Sequence, residues 1–244
     1  MSRKWASALL LFSPAQLFLL AQLRAPRAYL RGHDLILENA QGQLKSLGAG
    51  FNPVPISEDM FLLIRGAQMG YGEESSCESP GSKNRVVVYD IIANKESILF
   101  DKPLSGRIIG LHATCVYEHA DLSPSGSILY IVSPCYVTSG CLAVINLPTG
   151  IVRYVPGAMD VFVIRGGPRE GDLIYMRRLD RKPTDEDPRV ADYAYIHARP
   201  DGSQVAVFSH EDLVLVGGNA PAPILRAYLR RIRGLIYVQG EWVP

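Results

Sequence analysis

The 244-residue sequence predicts an all-β chain built from a repeated four-stranded unit. Three observations carry this. Turn formers are abundant, with 22 Gly and 17 Pro, which favours many short strands over a few long helices. Four tight turns, each flanked by alternating strand-like runs, recur at a near-constant interval. Between successive turns lie two further strand-like segments of common appearance.

The hairpins come first. They are "LILENAQGQLKSL" (35–47), "RVVVYDIIANKESILF" (85–100), "CLAVINLPTGIVRYV" (141–155) and "YAYIHARPDGSQVAVF" (193–208). Each reads as alternation, turn residues, alternation. With Gln41, Asn94, Thr149 and Asp201 as turn centres, the intervals are 53, 55 and 52 residues. After each hairpin the chain carries another strand: "MFLLIRG" (60–66), "SILYIVS" (127–133), "DLIYMRR" (172–178) and "GLIYVQG" (234–240). Three of these place Tyr130, Tyr175 and Tyr237 between aliphatic residues. One more strand precedes each of those, at "FNPVP" (51–55), "YEHADL" (117–122), "MDVFVIR" (159–165) and "ILRAYLR" (224–230).

Strands a, b, c and d in about 50 residues make a β-propeller blade. The chain opens on a c–d hairpin and ends on an a–b pair. Pairing the two half-blades closes the ring without an open sheet edge. The expectation is a small four-bladed β-propeller over 33–243, closed by N-terminal and C-terminal strands sharing one blade. A β-sandwich or barrel with similar hairpins is the alternative.

The stretches "SPSGSILYIV" and "RPDGSQVAVF" resemble the Pro-x-Gly turn-and-strand signature of Tol-type and WD40-like propeller repeats. The resemblance covers these two stretches and departs from WD40 repeats in lacking their Gly-His and Trp-Asp landmarks. It implies the fold and no particular activity.

In such a blade the a–b and c–d turns share one face, and the b–c and d–a connections share the other. The long connections all belong to the second group: 67–84, 101–116, 179–192 and 209–223. Binding loops commonly extend from a rigid scaffold in this way. Tyr71, Glu73, Glu74, Tyr136, Arg181, Lys182, Asp185, Glu186 and Asp187 are the candidate partner-binding residues there. They mix aromatic groups with both signs of charge, as a protein interface does. Solvated loop polarity is the alternative for any one of them.

Residues 1–32 read differently. A basic start, Arg3-Lys4, precedes the apolar runs 5–12 and 16–23, and Ser13 and Ala15 sit at cleavage-site spacing. A signal peptide or N-terminal membrane anchor is expected, hence an exported, periplasmic or membrane-tethered protein. A cytoplasmic chain is the alternative. Four cysteines fit an oxidising compartment. Cys135 and Cys141 flank "YVTSG" between two strands and are placed to bridge it, which leaves Cys77 with Cys115. Three connectivities are open to four cysteines, and free buried thiols are the alternative to all of them.

The search for chemistry finds no catalytic, cofactor or metal motif. There is no HExxH, no phosphate-binding glycine loop and no nucleophile elbow. His112 and Cys115 have half the spacing of a zinc site without a second pair. His119 and Asp121 read as hydrogen-bonding residues at the start of a blade. The net charge of +1, from 25 basic and 24 acidic residues, supplies no field for nucleic acid. The expected function is therefore non-enzymatic. It is a propeller that binds a protein partner through its long-loop face, one version being an envelope immunity or inhibitor protein. The alternatives are a glycan-active hydrolase or lyase with carboxylates around the central channel, and a cytosolic scaffold.

Overall fold

The computed structural model describes residues 26–66, 83–104, 114–136, 139–165, 169–180, 191–209, 236–238 and 241–243. Four antiparallel sheets follow one another along the chain, arranged as four blades of a β-propeller. Blade 1 has β1 (Arg27–Arg31), β2 (Asp34–Glu38) and β3 (Leu44–Ala49). Blade 2 has β4 (Phe51–Pro55), β5 (Met60–Arg65), β6 (Arg85–Asp90) and β7 (Lys95–Phe100). Blade 3 has β8 (His119–Leu122), β9 (Ile128–Tyr136), β10 (Ser139–Asn146) and β11 (Val152–Pro156). Blade 4 has β12 (Ala158–Val163), β13 (Leu173–Asp180), β14 (Ala191–Ala198) and β15 (Gln204–Ser209). A short hairpin, β16 (Ile236–Val238) with β17 (Glu241–Val243), forms a separate two-stranded sheet. There is no helix among the described residues.

The middle strands explain why the blades stack. A strand buried on one face alternates apolar and polar residues, and one buried on both faces becomes a continuous apolar run. In β5, Phe61 and Leu63 face blade 1 and pack with Leu35 and Leu37. Leu62 and Ile64 point the other way and pack with Leu122, Leu129 and Ile131 of blade 3. The pattern repeats one blade on. Leu129 and Ile131 of β9 face blade 2, while Tyr130 and Val132 face Val161, Val163 and Tyr175 of blade 4. Each buried side chain contributes about 1.5–3 kcal/mol, so three such seams hold the four blades to one another. The last strands add only partly buried residues to these seams, such as Leu47, Phe100 and Tyr154, and Lys95, Glu96, Ser97 and Ile98 of β7 are exposed. Charge on this outer edge discourages pairing with another chain.

The tight c–d turns are set by side chains that cap their own backbone. Asn39 Oδ1 accepts from the amides of Gln41 and Gln43 at 3.0 and 2.9 Å. Asp90 Oδ1 accepts from Ala93 N at 2.8 Å, and Asn146 Oδ1 from Thr149 N at 3.0 Å. Asp201 Oδ1 accepts from Ser203 N at 2.9 Å, and the Ser203 hydroxyl, with this amide second, holds the Asp201 carboxyl below its usual range.

Three details depart from the sequence reading. That reading assigns the place beside β2 to the C-terminal segment, and β1 occupies it. β1 forms because its alternation matches β2: Ala28 packs against the blade 1–blade 2 seam, and Arg27 pairs with Glu38 at 2.7 Å. The boundary expected between residues 32 and 33 therefore falls within the turn of a hairpin. At the other end, the strand expected over 234–240 is the first arm of the β16–β17 hairpin. Tyr237 lies opposite Trp242 there. The expected strand 224–230 lies outside the described residues, as does the apolar segment 5–23. No helix of the described residues is long and apolar enough to cross a membrane. In blade 3, β9 and β10 run on to Tyr136 and Ser139, so their connection is two residues rather than a loop.

Candidate functional site

The inner strand of each blade has a paired edge and an unpaired one. β8 and β12 pair only with β9 and β13. Backbone groups on the free edge need other partners, because a buried unpaired amide is costly. Side chains of neighbouring inner strands supply them. Asn52 of β4 donates through Nδ2 to Ala120 O at 2.8 Å. Asp121 of β8, whose side chain is 3% exposed, accepts from Leu122 N at 2.8 Å and from Val163 N of β12 at 2.6 Å. It also forms an ion pair with Arg165. A polar seam thus joins blades 2, 3 and 4 along their inner strands.

Beside it, His119 Nδ1 lies 3.2 Å from Asp160 Oδ1, with both side chains partly exposed. Asp160 also accepts from Val161 N at 2.8 Å. Burial pushes its carboxyl above the usual value of 3.8, against the opposing pull of His119 and that amide. The folded state therefore holds the Asp160 proton more tightly than the unfolded chain. Ionising it costs stability, and the cost grows as pH climbs from 3.8 through the raised folded value. Asp160→Asn, which keeps the acceptor for Val161, should raise the melting temperature at neutral pH. That gain should shrink as pH falls through the raised folded value and be absent below pH 3.8. A gain independent of pH would count against the burial argument.

Asp121 is spent on two amides and a guanidinium, which is a positioning role. Asp160 is tied to a histidine and an amide. His119 and Asp121 are hydrogen-bonded residues of the inner strand, as their position at the start of a blade suggests. Among the described residues, no group of His, Cys, Asp and Glu could hold a metal ion.

The opposite ends of the middle strands carry the roots of the long connections. β5 and β6 are joined by residues 66–84 from the adjacent pair Arg65 and Arg85. β13 and β14 are joined by 181–190 from the adjacent pair Asp180 and Ala191. The first of these roots is held by several polar contacts. Arg65 donates to Ala49 O at 2.6 Å and Leu47 O at 2.9 Å, and pairs with Glu96. Asn84, fully buried, accepts from Tyr117 N at 2.9 Å and donates its own amide to Cys115 O at 2.9 Å. Tyr117 in turn donates to Lys102 O at 2.6 Å, and burial, with Asp101 nearby, holds its phenol above the usual range.

Gly66 begins the 66–84 connection with φ +121, a conformation side chains rarely adopt. A Cβ there would overlap the Asn84 amide and lie 3.1 Å from Lys83 O. Gly66→Ala should therefore destabilise the chain by about 1–3 kcal/mol, measured by urea unfolding. A neutral outcome would mean that this root is loose.

In blade 3 the projecting β9–β10 hairpin is stapled. Cys135 and Cys141 form a disulfide with Cα atoms 5.5 Å apart, as their spacing suggests. Cys135 sits where the register shifts between Ser139 and Gly140. Gly140 is required by close approach, since a Cβ would stand 2.6 Å from Ala158 O. Cys115 is also disulfide-bonded.

The predicted partner-binding residues sit beyond these roots. Tyr71, Glu73, Glu74, Arg181, Lys182, Asp185, Glu186 and Asp187 lie outside the described residues, and so does Cys77. Tyr136 is the last residue of β9, and its backbone alone is described. Asn52, Asp160 and Arg165 were not singled out by sequence reasoning. Their partners lie in other blades, and no local spacing marks them.

No family model matches the chain, and no curated protein matches it. Solved structures do. TolB from Acinetobacter baumannii aligns with TM-score 0.43 and 14% identity over 77% of this chain and 39% of that one. An acylaminoacyl peptidase from Pyrococcus horikoshii aligns with TM-score 0.38 and 12% identity over 75% of this chain and 29% of that one. An oligogalacturonate lyase in complex with manganese aligns with TM-score 0.35 and 12% identity over 77% and 62%. The chain thus spans less than two thirds of each of these proteins. The fold assignment rests on the strand pairing and the blade seams.

Proposed function

We propose that the chain is an exported, non-enzymatic binding protein that engages a protein partner through the long-loop face of its propeller. The supporting observation is that the connections 66–84 and 181–190 leave from paired strand ends, the first of them anchored by the hydrogen bonds of Arg65 and Asn84. A rigid root lets a loop be ordered at low entropic cost on binding. The composition of those connections adds anchors: Tyr71 as an aromatic contact, and Arg181 and Lys182 beside Asp185, Glu186 and Asp187. The stapled hairpin ending at Tyr136 adds a third projection on the same face.

Export is supported by the cysteines. The Cys135–Cys141 disulfide and the bonded state of Cys115 fit an oxidising compartment and not a reducing cytosol. The basic, then apolar, N-terminal segment supplies an export or anchoring signal. An envelope inhibitor or immunity role is one form this binding takes.

The test is affinity purification from native extract. Wild type and variants with 67–82 or 181–190 replaced by glycine-serine connections of equal length are compared, after thermal unfolding shows that they fold. The expected result is a partner retained by wild type and lost by the replaced variants. Undiminished capture by both would remove the long-loop face from the account.

A further inference from the structure

On the face opposite the long loops, a cleft of about 270 Å³ opens between the c–d turns of blades 1 and 2. Leu37, Leu44 and Ile91 give it apolar walls, and Lys45, Tyr89 and Asn94 line its polar side. The arrangement of Lys45 is unusual for an exposed lysine. Its ammonium donates to Tyr89 Oη at 2.9 Å and to Asn94 Oδ1, and it lies 5.5 Å from the centroid of the Tyr89 ring. Tyr89 Oη in turn donates to Asn94 Oδ1 at 2.6 Å. Tyr89 is itself buried, which fixes its hydroxyl, and Asn94 Oδ1 accepts from both Lys45 and Tyr89, so the three groups hold one another in place.

Both acceptors are neutral. They immobilise the ammonium without cancelling its charge, and no carboxylate lies within ion-pair distance of Lys45 among the described residues. An ammonium has three N–H donors, so one remains after these two bonds. The result is a positioned, uncompensated cation at the rim of an apolar cleft.

We propose that this cleft is a binding site for a small organic carboxylate with a short apolar tail. The carboxylate meets the remaining Lys45 donor in a charge-assisted hydrogen bond, and the tail lies on Leu37, Leu44 and Ile91. Size limits the ligand: at ~30 Å³ for each water-sized group, the cleft holds about nine. Because the ammonium is already held, little conformational entropy is lost on binding. The site is separate from the long-loop face, so its failure would leave that reading untouched.

Hexanoate, hexanol and hexylamine titrated into the full chain provide the test, followed by backbone amide NMR. Hexanoate should shift the amides of Leu44, Lys45 and Asn94 and bind at least about tenfold more tightly than either neutral or cationic analogue. Lys45→Met should abolish that preference, and Lys45→Arg should keep it. High salt should weaken hexanoate and spare hexanol. Equal binding of the three probes to wild type overturns the proposal without recourse to any variant. So does an absence of saturable shifts at these amides, or a preference that survives Lys45→Met.

Discussion

Asp121→Ala is expected to lower the unfolding free energy by about 3–5 kcal/mol, the cost of breaking a buried ion pair by removing one partner. Asp121 is 3% exposed, and its carboxylate serves Leu122 N, Val163 N and Arg165 at once. Truncation leaves a guanidinium without its anion and two amides without acceptors. Each unsatisfied group costs about 1–3 kcal/mol. The effect is larger than for an ordinary surface pair because two of the three bonds cross from blade 3 to blade 4. Asp121→Asn keeps one acceptor oxygen and should fall between wild type and Asp121→Ala. Urea unfolding reads the difference as a lower midpoint at unchanged slope. A loss under about 1 kcal/mol would mean that the inner-strand seam is solvated and not structural.

The second large effect is at Tyr130. Its ring is fully buried in the seam between blades 3 and 4, and its hydroxyl donates to Pro200 O of the blade 4 turn at 3.0 Å. Burial, reinforced by Asp121, Asp172 and Asp201, holds its phenol above the usual range, so the donor stays protonated. Tyr130→Ala should cost about 3–5 kcal/mol through the cavity it leaves. Tyr130→Phe keeps the ring and should cost about 1–3 kcal/mol for the stranded carbonyl. The ordering matters more than either value. If Phe cost as much as Ala, the hydrogen bond rather than the packing would be the dominant link between the blades.

The two kinds of interaction differ in how far the sequence reveals them. Runs such as Phe61–Ile64 and Leu129–Val132 are legible because a strand sandwiched between blades must be apolar on both faces. Turns at Asn39, Asp90, Asn146 and Asp201 are legible because the capping residue lies within four positions of the amide it serves. The Cys135–Cys141 bridge was one of three possible connectivities, and the cross-strand register selects it.

Other features depend on residues far apart. Asp121 meets Val163 and Arg165 across separations of 42 and 44 residues. Asn52 meets Ala120 across 68. Only the packing of consecutive blades brings them together. β1 is hidden for a different reason. "RAYLR" follows an apolar run and reads as its basic flank, and its strand character comes from the Arg27–Glu38 register with β2. The extension of β9 through Pro134 is also unreadable locally. Proline suggests a turn, yet here it stands opposite Gly140 beside a register shift, where a missing N–H is tolerated.

Site-specific photocrosslinking in cells separates the proposed long-loop face from the opposite one as the place where a partner binds. A photoreactive side chain placed at 71, 136 or 185 should trap the same partner species. Placed at Ile92 or Ile151, exposed residues at the tight turns of blades 2 and 3, it should trap none. A partner trapped from 92 or 151, with positions 71, 136 and 185 silent, would put the binding face at the tight turns instead.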